Sequence, residues 1–554
     1  MPDWTSVGAA HRAACVAKQD AEALELAARW AEIADTVKAR VLSMDASSLL
    51  DAMNRAEVTS EQAVLVYTER AYHIGCKEIN AVTESFFLEA LQAAKWSDLR
   101  RRESHAVRPL EGLPISIKDC FDMQGSFSTV GITSRTVTPG KHDMEDGLML
   151  KILKEAGAIP IIKTNVPQGL LHDDTFNNLF GATLNPFDCT RGAGGSSGGE
   201  SAAVSAQCVP LGFGTDIGGS VRGPSACCGL YGFKCTERRL STKGLAMQEG
   251  PGQESILSMP GPIARSADDC VLAVKAWLCQ AMFRGDEAYT VPIPFDEGKY
   301  YSRSPLKVAV LTQTDLSGLM CAASQRAVSE AAEAFKALGA DVVFWDLRLD
   351  IFRELERVWI DAIITADEVK WLIDALDGEE ACVPSLNIIP ALRALNGAPD
   401  RSFINKVQHR QRHLRDEVTS YFDKHGIDVL LCPALRMPPG QSQSNIGVYF
   451  TQWVNVIGFP AGVVPVTTVR PGETILPDSL KTTASRKKRA DAMEAAMVGS
   501  EGMPMNVQLV GRKWQDETVL RAMKLLQGAF PITFPESTVS GQPSLRGARA
   551  RSKL

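Results

Sequence analysis

Two serines, each on its own glycine turn, are the residues of this chain most suited by type and spacing to do chemistry. Ser196 lies in Gly194-Gly195-Ser196-Ser197-Gly198-Gly199, and Ser220 closes Ile217-Gly218-Gly219-Ser220, 24 positions later. Twelve of the 44 glycines fall between Gly192 and Gly232. Successive backbone N–H groups in such a turn can converge on one oxygen as an anion nest or oxyanion hole. Two hydroxyls beside two such turns point to acyl transfer. A phosphate-binding loop needs G-x-x-x-x-G-K-[ST], and no lysine follows these glycines. A dinucleotide fingerprint is only weakly matched, because the glycine after Gly212-x-Gly214 comes at the wrong spacing. The hydrolase elbow G-x-S-x-G is met literally by Gly194 to Gly198, yet it also demands a downstream acid and then a histidine. His409, His413 and His425 lie downstream, none of them in a glycine-flanked loop. His409 and His413 sit four apart in HRQRH with no carboxylate between them, which reads as a charged helix face rather than a metal pair.

A lysine can replace the histidine if burial or neighbouring positive potential keeps it neutral. Lys118, at the end of the apolar run LPISIKD, is the natural candidate, since a strand end feeding a glycine-rich site can turn its amine inward. Moving a lysine from about 10.4 toward 7 takes roughly 4–5 kcal/mol of differential stabilisation, so the amine is expected to be buried and tightly hydrogen-bonded.

The elements that must hold these groups alternate. From about residue 8 to 105 the pattern is helical and rich in Ala, Leu and Glu, with capping-box spacing at Thr59 and Gln62. LEGLPISIKDCF reads as a strand, DGLMLKILKEAG as a helix closed by Gly157, and AIPIIKTN as another strand. ESAAVSAQ is a helix of small residues that lets its neighbours approach closely. VAVL, DVVFWD, DVLLCPA, GVVPVTTV and NVQLVG continue the strands, interleaved with helices such as AVSEAAEAFKALGA. No linker cuts the core, so the expected fold is α/β: a single large mixed β-sheet covered by helices on both faces, with an N-terminal helical extension. Lys481 to Met497 carries a basic run and is expected to be a solvated loop, and residues 382–395 are expected to be core.

At 554 residues, about 150 per domain would allow three or four units, or one large core with an extension. A hydrophobic content of 45% is too apolar for disorder. The net charge of −6 argues against a general nucleic-acid binder. Thirteen cysteines, an odd number with no C-x-x-C pair, predict reduced thiols rather than a disulfide frame or zinc site. The first twenty residues carry no secretory h-region, and no run of 18 apolar residues predicts a membrane span.

GGSSGGESAAVSAQCVPLGFGTDIGGSVRGPSACCGLYGFK resembles the signature of the amidase signature family, and LPISIKD resembles its lysine strand. NPFD at Asn185 to Asp188, GFPAGVVPVT near Pro460 and NVQLVGRKWQDETVL match later blocks, so the resemblance covers roughly residues 45 to 530. TNVPQ, PLGFGTDIGGS and LCQAMFRGDEAYTVPIPF resemble the fatty-acid amide hydrolase branch more than the amidotransferase A subunits. The resemblance implies Ser220 as nucleophile, Lys118 as base and later acid, and Ser196, after a cis peptide from Gly195, as proton relay. It implies that N–H groups from Ile217, Gly218, Gly219 and Ser220 hold the oxyanion, that Ser197 supports the network, and that Asp216 and Arg222 fix the loop. It places Leu170 and Leu171 beside an apolar acyl channel. A transmembrane helix found in some members of that branch has no counterpart, and the region corresponding to their membrane cap, Val383 to Leu395, is short and polar-interrupted.

The expected protein is therefore a serine amidase of one catalytic domain, 101–535, with a helical extension at 1–100 and a tail at 536–554. It needs no metal and no organic cofactor, and takes a small-molecule amide with an apolar acyl part. A short-chain acetamidase, an amidotransferase subunit working with partner chains, and a non-catalytic binding protein stay as rival readings; a homodimer stays open. Ser552-Lys553-Leu554 is a peroxisomal import tripeptide for a receptor to read, and without its use the protein would be cytoplasmic. Imaging of the chain tagged at its N-terminus is expected to show peroxisome-type organelles. A cytosolic signal with Leu554 intact would overturn that expectation.

Overall fold

Apolar runs bounded by turn residues form the strands of one large sheet. The computed structural model describes residues 2–103, 106–137, 145–246, 255–311, 319–348, 350–365, 374–383, 401–443, 450–478 and 481–530. In chain order the strands are β1 (Val82–Ser85), β2 (Pro114–Lys118), β3 (Ile159–Thr164), β4 (Phe176–Asn177), β5 (Gly181–Ala182), β6 (Leu184–Asn185), β7 (Asp188–Gly192), β8 (Leu211–Asp216), β9 (Tyr231–Lys234), β10 (Met259–Ala264), β11 (Lys307–Val310), β12 (Asp341–Phe344), β13 (Val429–Pro433), β14 (Ala461–Thr468) and β15 (Pro504–Gly511). Eleven of them join one sheet in the order β1-β3-β2-β8-β10-β9-β14-β15-β13-β11-β12, while β4 with β5 and β6 with β7 make two small ribbons. The sheet is mixed. β2 runs parallel to β3 and β8, and β11 runs parallel to β12 and β13. The central pairs are antiparallel.

Alternation along each strand gives the sheet two apolar faces. Val429 and Leu431 of β13 enter the main core, while Leu430 and Cys432 enter a second one. The main core reaches from Leu26, Trp30 and Phe87 of the N-terminal helices to Ile117, Phe213, Trp277 and Leu509. The second holds Ile217, Phe352, Leu355, Leu414, Phe422 and Trp453. Helices therefore cover both faces, as the alternating sequence pattern predicts.

The N-terminal helices are α1 (Trp4–Glu32), α2 (Asp35–Ser43), α3 (Ala46–Asn54), α4 (Ser60–Arg70) and α5 (Phe87–Arg102). Thr59 and Gln62 form the expected capping box of α4. This region is not helical throughout, however. Asn80, at φ 50°, ends the helical run, and the β-branched pair Val82-Thr83 opens β1, which pairs antiparallel with β3 as the edge of the main sheet. The segment before residue 101 thus completes the sheet as well as packing on it. A second correction concerns the basic run: Ala484–Met497 is a helix, not a loop. The Thr483 side chain accepts from Arg486 N–H at its start, and Ala490, Met493, Ala496 and Met497 bury one face at helical spacing. All thirteen cysteines are free thiols. Of residues 382–395, Cys382 and Val383 are described and Val383 is buried; the rest of that stretch lies outside the described residues, as do the tail and Ser552-Lys553-Leu554.

The close approach at the centre uses α6 (Leu148–Glu155), α7 (Gly198–Ser205) and α8 (Arg222–Cys227). Every residue of α7 is buried. On β2, Ile115 and Ile117 point into the main core, so period two turns Ser116 and Lys118 to the face that α7 covers. Gly212 on the adjacent β8 makes this possible, since a Cβ there would stand 2.2 Å from Glu200 Oε2 and 3.0 Å from Ser116 Oγ. Gly212→Ala is therefore expected to destabilise the fold by about 1–3 kcal/mol through overpacking. Thermal unfolding followed by circular dichroism checks this, and an unshifted midpoint would show that α7 has room to spare.

Candidate active site

Lys118 closes β2 with its side chain fully buried. Its Nζ lies 2.7 Å from Ser196 Oγ and 2.9 Å from Thr215 Oγ1, donating to both. Among the described residues no carboxylate forms an ion pair with it. Burial pushes the amine down to about 8, against the pull of nearby acidic groups.

Ser196 follows a cis peptide from Gly195 and is 2% exposed. Ser197 N–H donates to the Ser220 carbonyl at 3.2 Å, which stitches the two serine loops together. Ser220 is half-buried, unlike Lys118 and Ser196 behind it. The site thus grades from a buried amine, through a buried hydroxyl, to a hydroxyl that solvent or a ligand can reach.

Asp216 and Arg222 hold the Ser220 turn. Both are fully buried, and Arg222 Nη2 and Nε meet Asp216 Oδ1 and Oδ2 at 2.8 and 3.0 Å. Burial would push the Asp216 carboxyl up, but the Arg222 guanidinium beside it holds it well below the usual carboxylate range. The same carboxylate accepts from Gly219 N–H at 2.8 Å and Val221 N–H at 3.2 Å. This narrows the expected set of oxyanion donors. Gly219 N–H is spent on Asp216, whereas among the described residues the N–H groups of Ile217, Gly218 and Ser220 donate to no protein acceptor. Gly219 takes φ 124°, and a Cβ there would strike Thr451 Oγ1 at 1.8 Å, so no other residue fits.

Two further carboxyls brace the loops. Glu200 accepts from Ser116 Oγ at 2.5 Å, Thr164 Oγ1 at 2.6 Å and Phe213 N–H at 3.2 Å, and burial pushes it up to about 7. Asp174, also pushed up to about 7 by burial, accepts from Thr175 N–H at 2.9 Å and Gln443 N–H at 2.7 Å beside Gly192. From NPFD, Asn185 Nδ2 donates to the carbonyls of Gly192 and Cys227 and so anchors the start of the Ser196 loop.

Leu170 is buried at φ 60° and packs in the main core, while its half-buried neighbour Leu171 lies against both cores. His409 and His413 are exposed on the helix Arg401–His425, away from the serine loops, as a charged helix face requires. The structure brings Lys118, Ser196, Ile217, Gly218, Gly219 and Ser220 into one cluster of loops. Sequence reasoning missed Thr215, which shares the Lys118 amine, and Gln508 and Asn455, which accept from Arg222 at 2.5 and 2.7 Å. Thr215 had a signal in its place beside Asp216. Asn455 and Gln508 had none, because they arrive from more than 230 positions away.

The Amidase family model matches residues 62–520. Fatty-acid amide hydrolase 1 of Sus scrofa is 31% identical over 513 residues, spanning 87% of this chain and 85% of that protein. Fatty acid amide hydrolase 1 of Caenorhabditis elegans is 30% identical over 513 residues, 88% of each. Among solved structures, one of a fatty acid amide hydrolase superposes with a TM-score of 0.79 at 25% identity, over 89% of this chain and 86% of that one. A match that runs from the capped helix α4 into the last described helix, Asp516–Ala529, carried by the same sheet, makes this chain a member of the amidase family, the amidase-signature amide hydrolases.

Proposed function

We propose that the chain hydrolyses an amide with an apolar acyl part, of the fatty-acid amide class, through an acyl-enzyme on Ser220. The observation that carries this reading is a fully buried lysine, unpaired with any described carboxylate, 2.7 Å from Ser196 Oγ. In its neutral form the Lys118 amine accepts the Ser196 proton while Ser196 Oγ takes the proton of Ser220. Ser220 Oγ then bonds to the amide carbon, and the carbonyl electron pair moves to an oxygen facing the N–H groups of Ile217, Gly218 and Ser220. As the tetrahedral intermediate collapses, the proton returns from Lys118 through Ser196 to the leaving amine. Water then releases the carboxylic acid by the reverse relay. The apolar acyl class is supported by Leu171 and Ile217 beside the turns and by the relatives named fatty-acid amide hydrolases.

A fluorophosphonate probe is expected to label Ser220, with labelling lost in Ser220→Ala. Lys118→Ala should lower amide turnover by about 10²–10⁴. The amine works only when deprotonated, so kcat/KM should rise as pH climbs through about 8 and fall tenfold per unit below it. Persistent labelling of Ser220→Ala, or a pH profile flat from 6 to 9, would refute the assignment.

Acyl length is settled by a series of primary amides from acetamide to oleamide, assayed on the chain purified alone. Turnover is expected to increase with chain length. Equal or better turnover of acetamide would favour a short-chain amidase, and activity that appears only with added partner chains would favour an amidotransferase subunit.

A further inference from the structure

Trp359 reaches the Ser220 turn from the helix Asp350–Thr365, where it is half-buried against the second core. Its indole Nε1–H donates to the Ile217 carbonyl at 2.9 Å. The ring also lies over Gly218, where a Cβ would stand 2.7 Å from Cζ2 and 3.0 Å from Cε2. A trans peptide is planar with its N–H opposed to its C=O, so a carbonyl held from one side fixes the direction of the N–H on the other.

Three consecutive peptide planes of the turn are each pinned in this way. The Gly218 carbonyl accepts from Thr451 Oγ1 at 2.7 Å, and its plane's N–H, on Gly219, goes to Asp216. The Gly219 carbonyl accepts from Gly223 N–H at 2.6 Å, within the first turn of α8, which leaves Ser220 N–H facing the opposite way. The Ile217 carbonyl accepts from Trp359, which leaves Gly218 N–H facing away from the indole. The Ser220 donor is thus aimed by the chain just after it. The Gly218 donor is aimed by a side chain 141 positions downstream, through an uncharged N–H that brings no net charge to the turn.

From this juxtaposition we infer that Trp359 is a positioning residue for the oxyanion site: by holding the Ile217 carbonyl, it aims Gly218 N–H at the oxygen of the tetrahedral intermediate. The inference rests on the reading of Ser220 as nucleophile. Trp359 touches the turn and not the reacting atoms, so its effect belongs in the transition state rather than in substrate binding or in the ionisation of Lys118.

Trp359→Phe keeps an aromatic ring and removes the N–H. In this variant kcat is expected to fall about ten- to a hundredfold, below the roughly 10²–10³ seen when an oxyanion donor is removed outright. KM should stay within about twofold, and the inflection of kcat/KM with pH should not move. Inhibition by an octyl trifluoromethyl ketone, whose adduct with Ser220 carries the oxyanion, should weaken in proportion to kcat. Trp359→Leu, a second variant that removes both ring and N–H, should lose at least as much in kcat. An unchanged kcat would overturn the inference, as would a loss confined to KM, a shifted pH inflection, or ketone inhibition that does not follow kcat. Ser220→Ala, run alongside, separates the two readings. If it retains turnover, the assignment of Ser220 fails and this inference falls with it; if it is inactive while Trp359→Phe is unaffected, only the role of Trp359 fails.

Discussion

The site depends on keeping one amine in the protein interior without an ion-pair partner. A buried lysine normally either finds a carboxylate or gives up its proton. Lys118 meets two hydroxyls instead, and these satisfy it as hydrogen-bond partners without stabilising its charge as a carboxylate would. Nearby acids pull the amine upward, but among the described residues none forms an ion pair with it. Glu200 faces Ser116 and Thr164 and is itself pushed up toward neutrality, while Asp216 is committed to Arg222. The small residues of α7 and the glycines of β8 serve the same need, since burial on this closely packed face is what lowers the amine.

Arg222 and Asp216 carry the second requirement, a rigid turn around Ser220. A buried pair of this kind gains little net stability, but its donors and acceptors fix geometry. Asp216 collects the N–H groups of Gly219 and Val221, and Arg222 collects the Thr451 carbonyl, Asn455 and Gln508 from the far end of the chain. The turn is thereby bound to β15 and to the helix Gln452–Ile457. Its free N–H groups point where the constrained carbonyls do not.

The local part of this design was legible in the sequence. Glycine spacing located both serine turns, the strand end in LPISIKD pointed to Lys118 as an inward amine, and the capping box of α4 followed from Thr59 and Gln62. Three features escaped. β1 is four residues long, too short for a period to show, and only its pairing with β3 defines it. The helix Ala484–Met497 hid behind its basic residues, because its buried face consists of alanines and methionines spaced within a charged run. Trp359, Thr451, Asn455 and Gln508 act through contacts made 142 to 286 positions away, and nothing in their neighbours marks them. The relay itself was read from a resemblance; residue types alone left the hydrolase elbow beside it.

The location of the turns bears on what they can accept. Ile217 belongs to the second core and Val221, four residues on, to the main core, so the Ser220 turn crosses the seam where the two apolar bodies meet around the sheet. Leu171 packs against both cores, and Leu170 is anchored in the first. On the proposed reading, a carbonyl at Ser220 would stand among N–H groups with the apolar side chain of Ile217 beside it. Burying an acyl chain there contributes roughly 0.8 kcal/mol per CH₂. An acetyl group would collect almost none of that, and a long acyl chain would collect much of it before any bond is broken. On the proposed reading, the seam between two cores, rather than any one residue, is what would favour an apolar acyl group at Ser220.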